Sequence, residues 1–220
     1  MDDLASYSQY LELVAAIIGT VKYGAFKNSK LKYVLFFLWY VVFTDFFAGI
    51  SYPWFDIPNY IVYNLYYLAV FAFFLLWYRS LLSSRVKKAM LLFFFCIYCL
   101  FYLVNIIFLQ DFVFDFLTYS FTVGTMLITI TVSIYFVEML NRDIILQVTK
   151  SSYFWISFGL LVFCITYLPF KLAYRFMEGE NYILKSLVLF LINCIQYTCF
   201  AIAFIKAKKG SMDHPILNNE

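Results

Sequence analysis

The sequence predicts an all-α membrane protein, a bundle of seven transmembrane helices with its N-terminus outside and its C-terminus in the cytoplasm. Three observations carry that reading. Of 220 residues, 65% are hydrophobic and only 13% are charged, roughly half the charged share of a soluble domain. The apolar residues gather in seven blocks of roughly 18 to 23 positions, the length that crosses a hydrocarbon core of ~30 Å. The sixteen Lys and Arg residues then fall unevenly between the connections, which sets the orientation.

The spans read as Ser8–Phe26, Lys32–Ile50, Tyr60–Ser80, Lys88–Leu109, Phe116–Glu138, Tyr153–Ala173 and Lys185–Ile205. Helices are required, because an open sheet would leave peptide groups unpaired in lipid and the blocks lack the alternation of barrel strands. The first follows an acidic Met1-Asp2-Asp3 start, the opposite of a basic signal-peptide n-region, so it is expected to be retained. It closes at Lys27-Asn28-Ser29-Lys30. Tyr52-Pro53 stops the second and Ile57-Pro58 precedes the third, which ends at Ser83-Ser84-Arg85. Asn141-Arg142-Asp143 ends the fifth, and Glu178-Gly179-Glu180-Asn181 separates the sixth from the seventh. The whole chain, 1–220, thus reads as one seven-helix domain with a short cytoplasmic tail over 206–220.

With the N-terminus outside, the inner ends collect thirteen basic residues: Lys22, Lys27, Lys30, Lys32, Arg79, Arg85, Lys87, Lys88, Arg142, Lys150, Lys206, Lys208 and Lys209. Only Lys171, Arg175 and Lys185 fall outside, among Asp2, Asp3, Asp56, Asp111, Asp115, Glu178 and Glu180. The net charge of +3 is therefore a preference for an anionic cytoplasmic leaflet and not a nucleic-acid footprint. Tyr7, Tyr10, Trp54, Tyr60, Trp77, Tyr78, Tyr153 and Trp155 stand near span ends as an aromatic belt.

Several chemistries drop out. Cys96-Ile97-Tyr98-Cys99 is a C-x-x-C, but it lies mid-span with no second pair to relay electrons, so it reads as small apolar filler. All five cysteines lie within spans and build no disulfide framework. The single histidine, His214, is in the tail, which removes zinc hydrolases of the ceramidase or adiponectin-receptor kind and histidine base catalysis in the bilayer. Retinal would need a lysine midway along the last span, where Ile192, Asn193, Cys194, Ile195 and Gln196 stand instead. No cofactor or metal is expected. The third and seventh spans share Asn-x6-Phe-Ala, at Asn64, Phe71, Ala72 and Asn193, Phe200, Ala201. The other spans show no match, so a sugar-exporter-like repeat is not established.

The informative residues are polar and lie in the outer half: Glu12, Asp45, Asn64, Asn105, Lys171, Asn193 and Gln196. A carboxylate at depth costs a few kcal/mol and is normally turned inward, paired or hydrated. Glu12 and Asp45, with Lys171 or Arg175 as partner, could line an outward-opening ligand pocket. Alternatively the group is scattered interhelical hydrogen bonding, each bond contributing ~0.6 kcal/mol. Tyr60, Tyr63 and Tyr67 share a face with Asn64 and read as packing before ligand wall. Glu138 and Arg142 form an i,i+4 pair at a span end. Beyond them Leu140, Ile144 and Val148 would share one face if the fifth helix continued, giving an apolar stripe for docking a partner.

A resemblance enters here. Tyr10-Leu11-Glu12-Leu13 with Ala15-Ala16-Ile17-Ile18-Gly19, Phe136-Val137-Glu138-Met139-Leu140, Phe154–Leu161 and the ending Phe204-Ile205-Lys206 resemble a class of small bacterial seven-helix inner-membrane proteins. The resemblance implies an integral membrane protein of unassigned activity whose genes lie beside sensor histidine kinases, and no catalytic residues. Two functions follow as expectations. One is a receptor-like or accessory subunit, binding on the outer side and acting through a cytoplasmic or membrane partner such as a sensor kinase. The other is a small-solute permease, for which the polar groups reaching the inner half would be Thr125, Thr129, Thr131 and Ser133. An enzyme would need a nucleophile–base pair that the sequence does not offer.

Overall fold

Apolar runs punctuated by Pro, Ser and Asn give helices throughout the computed structural model, with no strand among the described residues. These are residues 7–141, 145–174 and 182–207, less the side chains of 145–147, 171–174, 182–183 and 185. The helices are α1 (Ser8–Phe26), α2 (Leu31–Phe55), α3 (Asn59–Leu81), α4 (Arg85–Val104), α5 (Thr118–Leu140), α6 (Ser152–Tyr174) and α7 (Tyr182–Lys206). A π turn, Asn105–Leu109, extends α4, and a 3-10 turn, Ile145–Lys150, precedes α6. Six of the seven helices, all but α1, are long and apolar enough to cross a membrane. The chain is an integral membrane protein with several transmembrane helices.

Two expectations from the sequence change. Pro53 does not stop α2 but sits inside its last turn, where it withholds the N–H that would bond four residues back and the helix closes within the same turn. The helix ends two residues later at Phe55, and Asp56, which follows, has a left-handed φ of 55°. The amides of Asp56 and Ile57 turn back to the carbonyls of Tyr52 and Ser51, a wrap that satisfies terminal carbonyls. The stretch after Glu138 is not one continuing α-helix either. α5 ends at Leu140, and the backbone resumes as a 3-10 turn, which has three residues per turn rather than 3.6. Leu140 thus closes α5 and Val148 lies within the 3-10 turn. Leu140 is exposed and Val148 half-buried, while Ile144 lies outside the described residues.

The described residues group into two units, with boundaries inside α2 and α5. One takes Tyr40–Tyr135. Within it α3 packs on α4, and the ring of Phe71 lies against Gly124 of α5. Edge-on contacts of Phe71 with Tyr98 and Phe121, at centroid distances of 5.4 and 5.5 Å, fill the space between these helices. The second unit takes the described residues up to Trp39 and from Phe136 onward. Its centre is α7, packed on both α6 and α1. Small residues permit that approach: a Cβ on Gly159 would meet Cys199 Cβ at 2.7 Å and the Gln196 carbonyl at 3.1 Å. In lipid there is no hydrophobic drive between helices, so such close backbone contact supplies the attraction.

Candidate functional site

In the second unit the buried face of α1 is Glu12, Ala15, Ala16, Gly19 and Phe26. These recur at three- and four-residue spacing, one stripe of a helix. Ala15, Ala16 and Gly19 bring α1 close to its neighbours, and Phe26 stacks on Phe204 of α7 at 5.4 Å. Glu12 continues the stripe and is only 5% exposed. The Tyr197 hydroxyl on α7 donates to Glu12 Oε1 at 2.7 Å, the length of a strong hydrogen bond. Oε2 is likewise shielded from solvent. Gln196, buried beside Tyr197, presents its backbone to Gly159 of α6. Asn193 is half-buried and donates to the Leu189 carbonyl one turn back in its own helix.

The first unit uses its polar residues differently. Asn64 on α3 is fully buried. Its Nδ2 donates to the carbonyls of Phe112 and Asp115 at 2.9 and 2.8 Å, and its Oδ1 accepts from the Leu117 amide at 2.9 Å. Its backbone carbonyl accepts the Tyr102 hydroxyl. One side chain thus takes up three backbone groups of the α4–α5 connection. Asn105, also fully buried, opens the π turn that ends when the Gln110 amide donates to its carbonyl. Its Nδ2 donates to Ser120 Oγ at 2.7 Å and to Gln110 Oε1 at 3.2 Å. Gln110 also accepts from the Tyr119 amide and donates to the Phe116 carbonyl. The same connection holds an Asx turn, with Asp111 Oδ1 accepting from Val113 and Phe114. Asp45 of α2 is half-buried in this unit.

Asn64 and Asn105 are thereby brought to one connection, and Glu12 and Gln196 to one helix pair. The side chain of Lys171 and the whole of Arg175 and Arg142 lie outside the described residues. Tyr60 and Tyr63 pack on Phe116, at 4.6 and 6.1 Å, and Tyr67 packs edge-on against Phe121 at 5.0 Å. These rings serve packing. The hydroxyls of Thr122, Thr125, Thr129 and Ser133 each donate to the carbonyl four residues back along α5, a local use that costs no partner helix. Cys96 is exposed and Cys99 half-buried, both as free thiols.

Tyr197, Gln110 and Ser120 were not singled out from the sequence. Gln110 and Ser120 carry a weak local signal, two polar residues flanking a connection that follows a buried Asn. Tyr197 carries none, being one of twenty tyrosines.

Comparison of the chain with protein-family models, with curated proteins and with solved structures finds no match to any of the three.

Proposed function

We propose that this chain is a receptor-like or accessory subunit of a bacterial inner membrane. It crosses seven times, N-terminus outside and C-terminus inside, binds on its outer side and acts through a protein partner of the sensor-kinase kind. The single observation that carries the reading is the inward placement of Glu12 against Tyr197. α1 is the one helix too polar to pass as a span by composition. Its carboxylate nevertheless faces protein, and Lys22, exposed near the other end, can reach a headgroup layer by snorkelling. Both placements support a seventh crossing. The thirteen-to-three split of basic residues supports the orientation.

A permease needs polar groups presented along a path at mid-bilayer. Here Thr125, Thr129 and Ser133 of α5 bond to their own helix, Thr131 is fully buried with its hydroxyl unbonded, and the buried Asn64 and Asn105 hold a connection. That supports binding and signalling over passage. The test is isolation in mild detergent together with neighbouring membrane and cytoplasmic proteins. A stoichiometric partner that co-purifies is the expected result. A bundle that purifies alone and moves solute into vesicles would replace this reading with the permease.

A further inference from the structure

The α3–α4 hairpin carries its cations without a counter-charge of its own. Between Asp56 and Asp111 the sequence holds no Asp or Glu. Neither helix, nor the turn between them, can therefore neutralise Arg79, Arg85, Lys87 or Lys88. All four flank one short connection, since α3 ends at Leu81 and α4 starts at Arg85. Leu81 and Leu82 are buried there. The Leu82 amide donates to the Tyr78 carbonyl at 3.2 Å and the Lys88 amide to the Ser84 carbonyl at 3.0 Å. The turn is thus tied to both helices, and the cations project from a fixed frame.

Helix electrostatics accounts for one of these cations and opposes the others. Arg79 is in the last turn of α3, where the dipole favours positive charge. It is half-buried, and its Nε makes no hydrogen bond among the described residues. Arg85, Lys87 and Lys88 stand at the opposite kind of helix end, the start of α4, whose first turn holds no acid. The dipole disfavours cations there. Membrane orientation would be served as well by charge within the connection. Arg85 is exposed, while Lys87 and Lys88 are half-buried, the placement of a stem laid on protein with its charged head at the membrane edge.

An apolar track leads away from the cluster. Ala89, Phe93, Cys96 and Leu100 are exposed along α4 at three- and four-residue spacing, one stripe of the helix. The other side of α4 belongs to α3, with the Tyr98 and Tyr102 hydroxyls donating to the Tyr67 and Asn64 carbonyls. From Arg85 to Cys96 the helix rises about 16 Å, which matches one leaflet's half of a ~30 Å hydrocarbon core.

We propose that the α3–α4 turn binds the headgroup of an anionic phospholipid. Arg85 and Lys88 would donate to its phosphate oxygens, an arginine fork suiting that group. Lys87 and Arg79 would add charge, and the acyl chains would lie along Ala89, Phe93 and Cys96. Basic clusters where membrane helices meet the surface recognise such headgroups. A headgroup layer bounds the membrane on either face, so the site does not depend on the orientation proposed above.

The experiment compares the wild type with Arg85→Gln/Lys88→Gln and with Lys27→Gln/Lys30→Gln, which removes equal charge from the α1–α2 connection. Each is purified in neutral detergent. Native mass spectrometry reads retained lipid, and thermal unfolding is followed with phosphatidylglycerol, phosphatidylcholine or inorganic phosphate added. The wild type should retain anionic lipid and rise in Tm with phosphatidylglycerol alone. Arg85→Gln/Lys88→Gln should bind it about thirtyfold more weakly and lose that rise. Without lipid its Tm should equal or exceed the wild type's, because two cations have left a helix N-terminus. Lys27→Gln/Lys30→Gln should behave as the wild type. Arg85→Gln alone should weaken binding about fivefold, which keeps the test open if the double variant fails to insert. Equal retention by the wild type and the Arg85 variants would overturn the proposal. So would equal losses in the two double variants, since any surface charge would then serve, or equal stabilisation by phosphatidylcholine. If inorganic phosphate alone reproduces the rise, the turn takes an adventitious ion only and the lipid assignment fails.

Discussion

Tyr197 and Glu12, 185 positions apart in sequence, meet at 2.7 Å between α7 and α1. The bond ties the first described helix to the last across an interface that also holds the Phe26–Phe204 stack and the close approach of Phe204 to Gly19. Small residues set how closely the helices approach, and the polar pair sets their register, because a carboxylate in an apolar interface has few places to go. Tyr197→Phe keeps the ring and removes the donor. It should destabilise the protein by about 1–3 kcal/mol, the cost of depriving a buried acceptor, read as a fall in Tm in detergent. Glu12→Gln can still accept the bond and should cost less than Tyr197→Phe. An unchanged Tm for Tyr197→Phe would show that the pair does not fix the interface.

Asn64→Leu should loosen the α4–α5 connection selectively. The substitution is close in volume but strands the carbonyls of Phe112 and Asp115 and the amide of Leu117, which Asn64 alone gathers. At about 1–3 kcal/mol for each group that finds no water, the loss falls chiefly on residues 110–117. Limited proteolysis or hydrogen exchange should show faster opening there, with α6 and α7 little changed. Uniform loss of protection along the chain would point instead to global unfolding.

Sidedness has its own test. An impermeant thiol reagent applied outside should label Asp56→Cys and Asp115→Cys in intact cells, and should leave Lys209→Cys unlabelled until the membrane is opened. The reverse pattern would overturn the argument from basic residues. Asp45→Leu belongs beside these variants: if Asp45 takes part in outer-side binding, insertion should persist while partner co-purification changes.

Much of the helical framework was legible because hydrophobic blocks and breaker residues act locally. The span read as Ser8–Phe26 is α1 without change, and the ends of α3 and α6 differ by a residue. The error at Pro53 came from treating proline as a stop, whereas α2 runs two residues past it before the left-handed Asp56 closes it. Beyond Glu138 the described backbone is α5 to Leu140 and then a 3-10 turn over Ile145–Lys150, a tightening that residue identity does not announce. The polar residues were legible as outliers but not as partners. Asn64 bonds to backbone atoms some 50 positions away, and backbone atoms leave no trace in residue identity. Tyr197 was hidden for a different reason, since one bonded tyrosine among twenty looks like the rest.

The glycines offer a graded test of the packing. A Cβ at Gly159 would meet Cys199 Cβ at 2.7 Å and the Gln196 carbonyl at 3.1 Å. Backbone cannot step aside as a side chain can, so Gly159→Ala must push α6 from α7, at about 1–3 kcal/mol for an overpacked interior. At Gly124 the obstacle is the Phe71 ring at 2.5 Å, itself wedged between Tyr98 and Phe121, so Gly124→Ala should cost a similar amount. At Gly19 the closest atom is the flexible end of Leu35 at 2.6 Å, with the Phe204 ring at 3.0 Å, and a rotamer change can relieve much of the clash. Gly24 and Gly49 have nothing within 4 Å. There alanine should stabilise by about 0.5–1 kcal/mol, through the chain freedom it removes. Thermal unfolding of the five single variants should therefore rank Gly159 and Gly124 as most damaging, Gly19 between, and Gly24 and Gly49 neutral or better. A loss at Gly24 or Gly49 equal to that at Gly159 would mean that those two exposed positions are covered by something outside this chain.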